Sequence, residues 1–142
     1  MALVSYGRAL TLHAERRPDA IALVHEDVET CYSTLEQGAN RLARRFEKLG
    51  VGEGDFVTIG LPNGRAFVET LFACWKLGAV PQPISPRLPR QERDAILALV
   101  RPKLIVGVAK AELDLPALAA ASGGCAPQVL DLDLDLDLDL DG

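Results

Sequence analysis

"CWKLGAVPQPISPRLPRQE", residues 74–92, runs from an apolar stretch through Gly78 into four prolines, Pro81, Pro83, Pro86 and Pro89. The order of its parts decides the fold. Residues 64–77 read as a helix with Phe67, Leu71 and Cys74 on one side and Val68, Phe72 and Trp75 beside them. A helix apolar over so much of its circumference packs on more than one neighbour. Gly78 ends it, and "AVPQPI" (79–84) is short and extended. Pro81 and Pro83 cannot donate ladder hydrogen bonds, which predicts a sheet edge or a strand end. Pro89, at a first helical position where its missing N–H costs nothing, opens the next helix. Its apolar positions are Ile96, Leu97, Leu99 and Val100. "KLIVGVA" (103–109) is then a fully apolar strand, the pattern of a sheet covered on both faces.

Upstream, the same alternation holds. Ser5 can cap a first helix carrying Leu10, Leu12 and Ala14, which stops at "RRPD" (16–19). "AIALVHEDVETCY" (20–32) reads as a hairpin turning at Glu26-Asp27. "STLE" (33–36) has the form of a capping box, in which Ser33 and Glu36 would exchange bonds with each other's backbone amides. The helix that follows has a single apolar stripe, Leu35, Ala39, Leu42, Ala43, Phe46 and Leu49, with Arg41, Arg44, Arg45 and Lys48 on the wet side. Gly50 ends it. "GEGDFVTIGLPNG" (52–64) is turn, strand, turn: Phe56, Val57 and Ile59 favour a strand, Pro62 stops it, and Asn63 can cap the next helix. Strands alternating with helices through short connections predict an α/β fold, an open, mostly parallel sheet flanked by helices, with a hairpin near its start. After residue 110 the signal fades. Residues 111–129 read as a weakly structured end, with a weak helix within 117–127, and 130–142 as a low-complexity Asp-Leu tail.

The composition excludes several classes. The chain has 142 residues, 49% hydrophobic and 25% charged, which is globular. Its net charge of −5 comes from the six aspartates between Asp131 and Asp141, while residues 1–130 carry 15 basic and 14 acidic side chains. A near-neutral body gives no electrostatic reason to expect nucleic acid. No apolar run reaches membrane-spanning length, and the first residues lack a basic stretch ahead of their apolar ones. Cys31, Cys74 and Cys125 are odd in number and widely spaced, which predicts reduced thiols and a cytoplasmic location.

The candidate motifs each have a plainer reading. "GVGEGD" (50–55) carries Asp55 where a phosphate-binding fingerprint needs glycine, and it lies between helix and strand, the reverse of the required order. It reads as a turn. "HED" (25–27) lacks the second histidine of a zinc helix, and neither His13 nor His25 has a partner at ligand spacing. "SGGC" (122–125) has no good strand before it and no lysine after it. Phe72 and Trp75 read as core. By chemistry alone no catalytic, cofactor-binding or metal-binding residue stands out.

Four segments in order carry a resemblance: "CYSTLEQGANRLA" (31–43), "LGVGEGDFV" (49–57), "GLPN" (60–63) and "WKLGAVPQPISPRLPRQE" (75–92). Over about residues 5–108 the chain resembles the start of the adenylate-forming (AMP-binding) enzymes: the acyl-CoA synthetases, peptide-synthetase adenylation domains and luciferase. Lys76, Gly78, Ala79, Val80 and Pro83 fall on that family's second core motif. Cys31 and Thr34 stand where many relatives have a hydroxyl residue and an acid, and Pro81 replaces a larger side chain. The proline-rich "PQPISPRLP" looks most like a bacterial fatty-acid or bile-acid CoA ligase. The resemblance implies residues 1–110 as the N-terminal part of an AMP-dependent synthetase/ligase domain. It also implies, for the full-length family, ATP, Mg²⁺ and coenzyme A. A carboxylate attacks the α-phosphate to give an acyl-adenylate, and coenzyme A then displaces AMP. The family's phosphate loop, ribose-binding aspartate, hinge and catalytic lysine lie beyond the region of resemblance, so it transfers no site residue. The expectation is a truncated acyl-CoA synthetase fragment, inactive alone, whose partner is the missing remainder and whose uncovered apolar surface favours self-association. The alternative is a standalone α/β binding or interaction module with an acidic tail.

Overall fold

In a computed structural model, residues 5–131 are described. The expected Asp-Leu tail lies outside them from residue 132 onward. The chain forms two compact units, each built from two segments of sequence.

The first unit takes the chain to Gly54 together with Asn63–Val80. It holds helix α1 (Tyr6–Arg16), the hairpin strands β1 (Ile21–His25) and β2 (Val28–Cys31), helix α2 (Tyr32–Lys48) and helix α3 (Arg65–Lys76). Ser5 caps α1 by accepting from the Arg8 amide at 3.1 Å, as its position in the sequence predicts. The hairpin turns at Glu26 and Asp27, whose φ of 49° and 65° give the doubly left-handed turn that matches strand twist. Helix α2 buries the predicted stripe, Leu35, Ala39, Leu42, Ala43 and Phe46. Leu10 of α1 packs with Leu35 and Ala39, and Val68 and Phe72 of α3 close over them.

Helix starts differ from expectation. The N-cap of α2 is Cys31, and Ser33 lies inside the first turn. Glu36 makes no capping box. Its Oε1 instead accepts from Thr11 (2.8 Å), Asn40 (3.1 Å) and the Lys76 ammonium (2.8 Å). A nearly buried ammonium needs a carboxylate far more than a helix end needs one extra acceptor, so the tertiary partner wins. Gly64, not Asn63, caps α3. In that helix the buried residues are Glu69, Thr70, Ala73 and Cys74, while the large apolar side chains are half-buried. Glu69 is held by Arg65 one turn earlier, and Gly38 gives its carboxylate room. A Cβ at Gly38 would sit 2.5–2.6 Å from the Glu69 carboxyl atoms.

The second unit takes Asp55–Pro62 and the chain from Pro81 onward. Strand β3 (Phe56–Ile59), strand β4 (Val80–Pro83), helix α4 (Arg90–Val100), strand β5 (Leu104–Val106), a 3-10 turn (Lys110–Glu112), helix α5 (Leu115–Ala121) and strand β6 (Gln128–Leu130) follow in order. The sheet runs β4-β3-β5-β6. Strands β3 and β5 are parallel, with Thr58 opposite Ile105, and so are β5 and β6, with Ile105 opposite Val129. Proline-rich β4 takes the edge, as its two missing donors require. Leu104, Ile105 and Val106 are fully buried, the expected signature of a strand covered on both faces.

Leu97 of α4 and Leu118 of α5 pack with Ile105, Val108 and Leu113. Pro89 is the N-cap of α4 rather than its first residue. Leu99 is 84% exposed, because it lies about 200° around the helix from buried Leu97. Arg93, one turn before Leu97, is buried instead. Residues 111–129, where the sequence signal fades, contain α5, capped by Asp114, and most of β6. Both are short, and each is fixed by packing on β5 rather than by its own periodicity.

Candidate functional site

The chain order around the sheet singles out one place. From β3 the chain goes to β4 on one side, then crosses to β5 on the other side and on to β6. The direction of winding reverses between β3 and β5. In open parallel sheets a crevice forms at such a reversal, outside the carboxyl ends of the strands, and ligands bind there.

A cleft of about 70 Å³ occupies this position. Gly60 follows β3 and Gly107 follows β5, and both line it. The two glycines let the loops approach closely. A Cβ at Gly60 would fall 2.8 Å from Val108 Cγ2, and one at Gly107 would fall 2.7 Å from Leu61 Cδ2. Gly107 also has a φ of 83°, which a side chain disfavours. The apolar wall is Ile84, Leu88 and Val108. The polar wall is Arg93 and Glu112. Arg93 Nη2 donates to the Glu112 carbonyl at 2.8 Å, and Nη1 reaches the Glu112 carboxylate at 3.4 Å.

The glycine amides beside the cleft are engaged: Gly60 N–H bonds Val106 O (2.8 Å) and Gly107 N–H bonds Leu130 O (3.1 Å). A phosphate cradle needs such amides free. Among the described residues, no group of three or more His, Cys, Asp or Glu side chains is placed to hold a metal ion.

The sequence motifs lie scattered over the chain. "GVGEGD" is a turn in which Gly50 and Gly54 have positive φ and Gly54 N–H bonds Gly78 O. His25 stands at the hairpin turn, and His13 stacks on Tyr32 at 5.3 Å. Gly123 and Gly124 end α5, with Cys125 exposed beyond them. Phe72 meets Trp75 edge-on at 5.2 Å, and the Tyr6 ring lies tilted against Trp75 at 4.8 Å. The three thiols are free. Cys31 is lowered to about 7, chiefly by the hydroxyl of Ser33 and then that of Thr34, at 3.3 and 3.2 Å from its sulfur. Burial pushes Cys74 up to about 12. None of these groups lines the cleft. The cleft residues escape sequence reading because Arg93 looks like one more charge on an amphipathic helix. The available signal is glycine directly after each of two parallel strands, Gly60 and Gly107.

Comparison with known proteins agrees with this architecture. Residues 10–140 match the family model described as "AMP-binding enzyme", and the chain belongs to that family. It is 35% identical over 125 residues to pyochelin synthase PchD of Pseudomonas aeruginosa, covering 85% of this chain and 23% of that protein. It is 38% identical over 103 residues to a dimodular nonribosomal peptide synthase of Bacillus subtilis, covering 72% of this chain and 4% of the relative. Among solved structures, a Mycobacterium tuberculosis fatty acyl CoA synthetase superimposes with a TM-score of 0.80 at 28% identity, over 94% of this chain and 27% of that one. The chain therefore corresponds to an N-terminal part of adenylate-forming enzymes and spans about a quarter or less of the length of these relatives. Among the described residues no helix is long and apolar enough to cross a membrane.

Proposed function

We propose that this chain supplies the N-terminal framework of an enzyme that activates a carboxylic acid with ATP and passes the acyl group to coenzyme A. The observation that carries the acyl-CoA assignment is the 28% identity to the mycobacterial fatty acyl CoA synthetase, sustained over 94% of the chain. The proline-rich segment 81–89 points the same way. In this reading the chain contributes scaffold: a four-stranded sheet with its cleft, and a helical unit packed by Leu10, Leu35 and Ala39. ATP, Mg²⁺ and coenzyme A are held by the rest of such an enzyme, and the chain's partner is that remainder. Apolar side chains such as Tyr6, Val24 and Val28 stand exposed and favour self-association when the partner is lacking.

A second reading, adenylation for a carrier-bound peptide or siderophore assembly, is favoured by the 35% identity to pyochelin synthase PchD. Complementation separates the two. The chain is co-expressed with the mycobacterial synthetase lacking its own N-terminal segment, and in parallel with PchD lacking the matching segment. Fatty acyl-CoA formation restored only in the first pairing supports the coenzyme A assignment. Carboxylate-dependent ATP–pyrophosphate exchange restored only in the second overturns it.

A further inference from the structure

One stripe of α2 is purely basic. Arg41, Arg44, Arg45 and Lys48 lie within about 100° of the helix circumference and about 10 Å of its length. The same arc holds Thr34 and Gln37 and no acid. Of the two carboxylates on the helix, Glu36 faces Lys76, and Glu47 lies about 60° outside the stripe. Arg41, Arg44 and Lys48 are exposed, and none has an ion-pair partner among the described residues. On α3 and α4 the exposed arginines are paired one turn on, Arg65 with Glu69 and Arg90 with Asp94. The stripe on α2 has no such local answer.

The matching charge is in the same sequence. Six carboxylates, Asp131 to Asp141 at every second position, follow β6 with no basic residue among them. The residues before them carry 15 basic and 14 acidic side chains, so the tail is the chain's one concentrated negative charge. Guanidinium forks take carboxylates through paired hydrogen bonds, and neighbouring arginines favour a run of carboxylates over a single one. Any other polyanion competes with a carboxylate run present at one copy per stripe. We propose that the Asp-Leu tail of one copy docks on the basic stripe of α2 in a second copy. In a two-fold pair each tail meets the other copy's stripe, so one association event makes two such contacts. The pairing does not depend on the synthetase reading. It also differs from association through exposed apolar side chains, because salt screens charge contacts and does not screen apolar ones.

The test is sedimentation equilibrium of the full 142-residue chain over a concentration series. It is run at about 10 mM and at about 1 M NaCl, between which the screening length falls from about 30 Å to about 3 Å. The expected result is a dimer at low salt whose association weakens at least about tenfold at high salt. A charge swap then identifies the two surfaces. One variant, Arg41→Glu with Arg44→Glu and Lys48→Glu, has an acidic stripe and an acidic tail. The other, Asp133→Lys with Asp135→Lys, Asp137→Lys, Asp139→Lys and Asp141→Lys, has a basic stripe and a basic tail. Circular dichroism checks that both keep the fold. Each alone should be monomeric, and an equimolar mixture should pair within a few-fold of the unaltered chain's affinity. A monomer at low salt, the result if each tail met its own chain or none, overturns the proposal without reliance on any variant. Association unchanged or strengthened at high salt overturns it equally. Association by either variant alone, or failure of the folded mixture to pair, overturns the assignment of stripe and tail.

Discussion

Gly107→Ala measures how tightly the loops at the cleft are pressed together. The new Cβ would stand 2.7 and 2.8 Å from Leu61 Cδ2 and Cγ and 3.0 Å from the Leu61 backbone nitrogen. The side-chain atoms could swing away, but the backbone atom could not move without disturbing the neighbouring Gly60 N–H bond to Val106. Overpacking of this kind costs about 1–3 kcal/mol. The φ of 83° adds about 1–2 kcal/mol for any residue with a side chain. Gly123→Ala isolates the second contribution, since Gly123 has a φ of 73° in the same unit but nothing within 4 Å of its would-be Cβ. The expected losses are about 2–5 kcal/mol for Gly107→Ala and about 1–2 kcal/mol for Gly123→Ala. With a urea slope of about 1.5 kcal/mol/M, a difference of about 2 kcal/mol separates the two midpoints by more than about 1 M. Equal midpoints by circular dichroism would refute the close approach of the β3 and β5 loops.

Lys76→Met should destabilise the chain by about 3 kcal/mol, because it strands the nearly buried Glu36 carboxylate. Adding Glu36→Leu should restore at least about 1 kcal/mol, read from a double-mutant cycle in urea. Leu97→Ala should cost about 2–5 kcal/mol, and Leu99→Lys should stay within about 0.5 kcal/mol, which checks which face of α4 is buried. Iodoacetamide should modify Cys31 with a half-maximal rate near pH 7, because its thiol is lowered to about 7. Ser33→Ala removes the largest lowering contribution and should move that profile to higher pH, while Cys74 stays unlabelled until the chain unfolds.

The parts of the fold legible in the sequence are those whose burial follows a period. The α2 stripe from Leu35 to Phe46 points one way, and Leu104-Ile105-Val106, short, β-branched at Ile105 and Val106 and apolar throughout, reads as a strand covered on both faces. Pro81 and Pro83 announce an edge by chemistry alone. Legibility fails where a tertiary partner overrides a local rule. Glu36 abandons its capping position for Lys76, 40 residues away, and the N-cap passes to Cys31. Glu69 is buried in a helix read as apolar, because Arg65 pairs with it and Gly38 makes space. The cleft was illegible for the same reason. Arg93 gains its character from Glu112, on a 3-10 turn that no periodicity predicts, and from glycines whose meaning depends on which strands lie side by side.

In the proposed function the chain is the N-terminal framework of a carboxylate-activating enzyme and is expected to perform no activation by itself. Carboxylate-dependent ATP–pyrophosphate exchange tests it most directly, measured over a panel of fatty acids. The chain alone, the N-terminally shortened mycobacterial synthetase alone, and the two co-purified are compared. Exchange is expected at the buffer blank for each alone and clearly above it for the pair. Exchange by the isolated chain, or none from a co-purified, soluble pair, would contradict it.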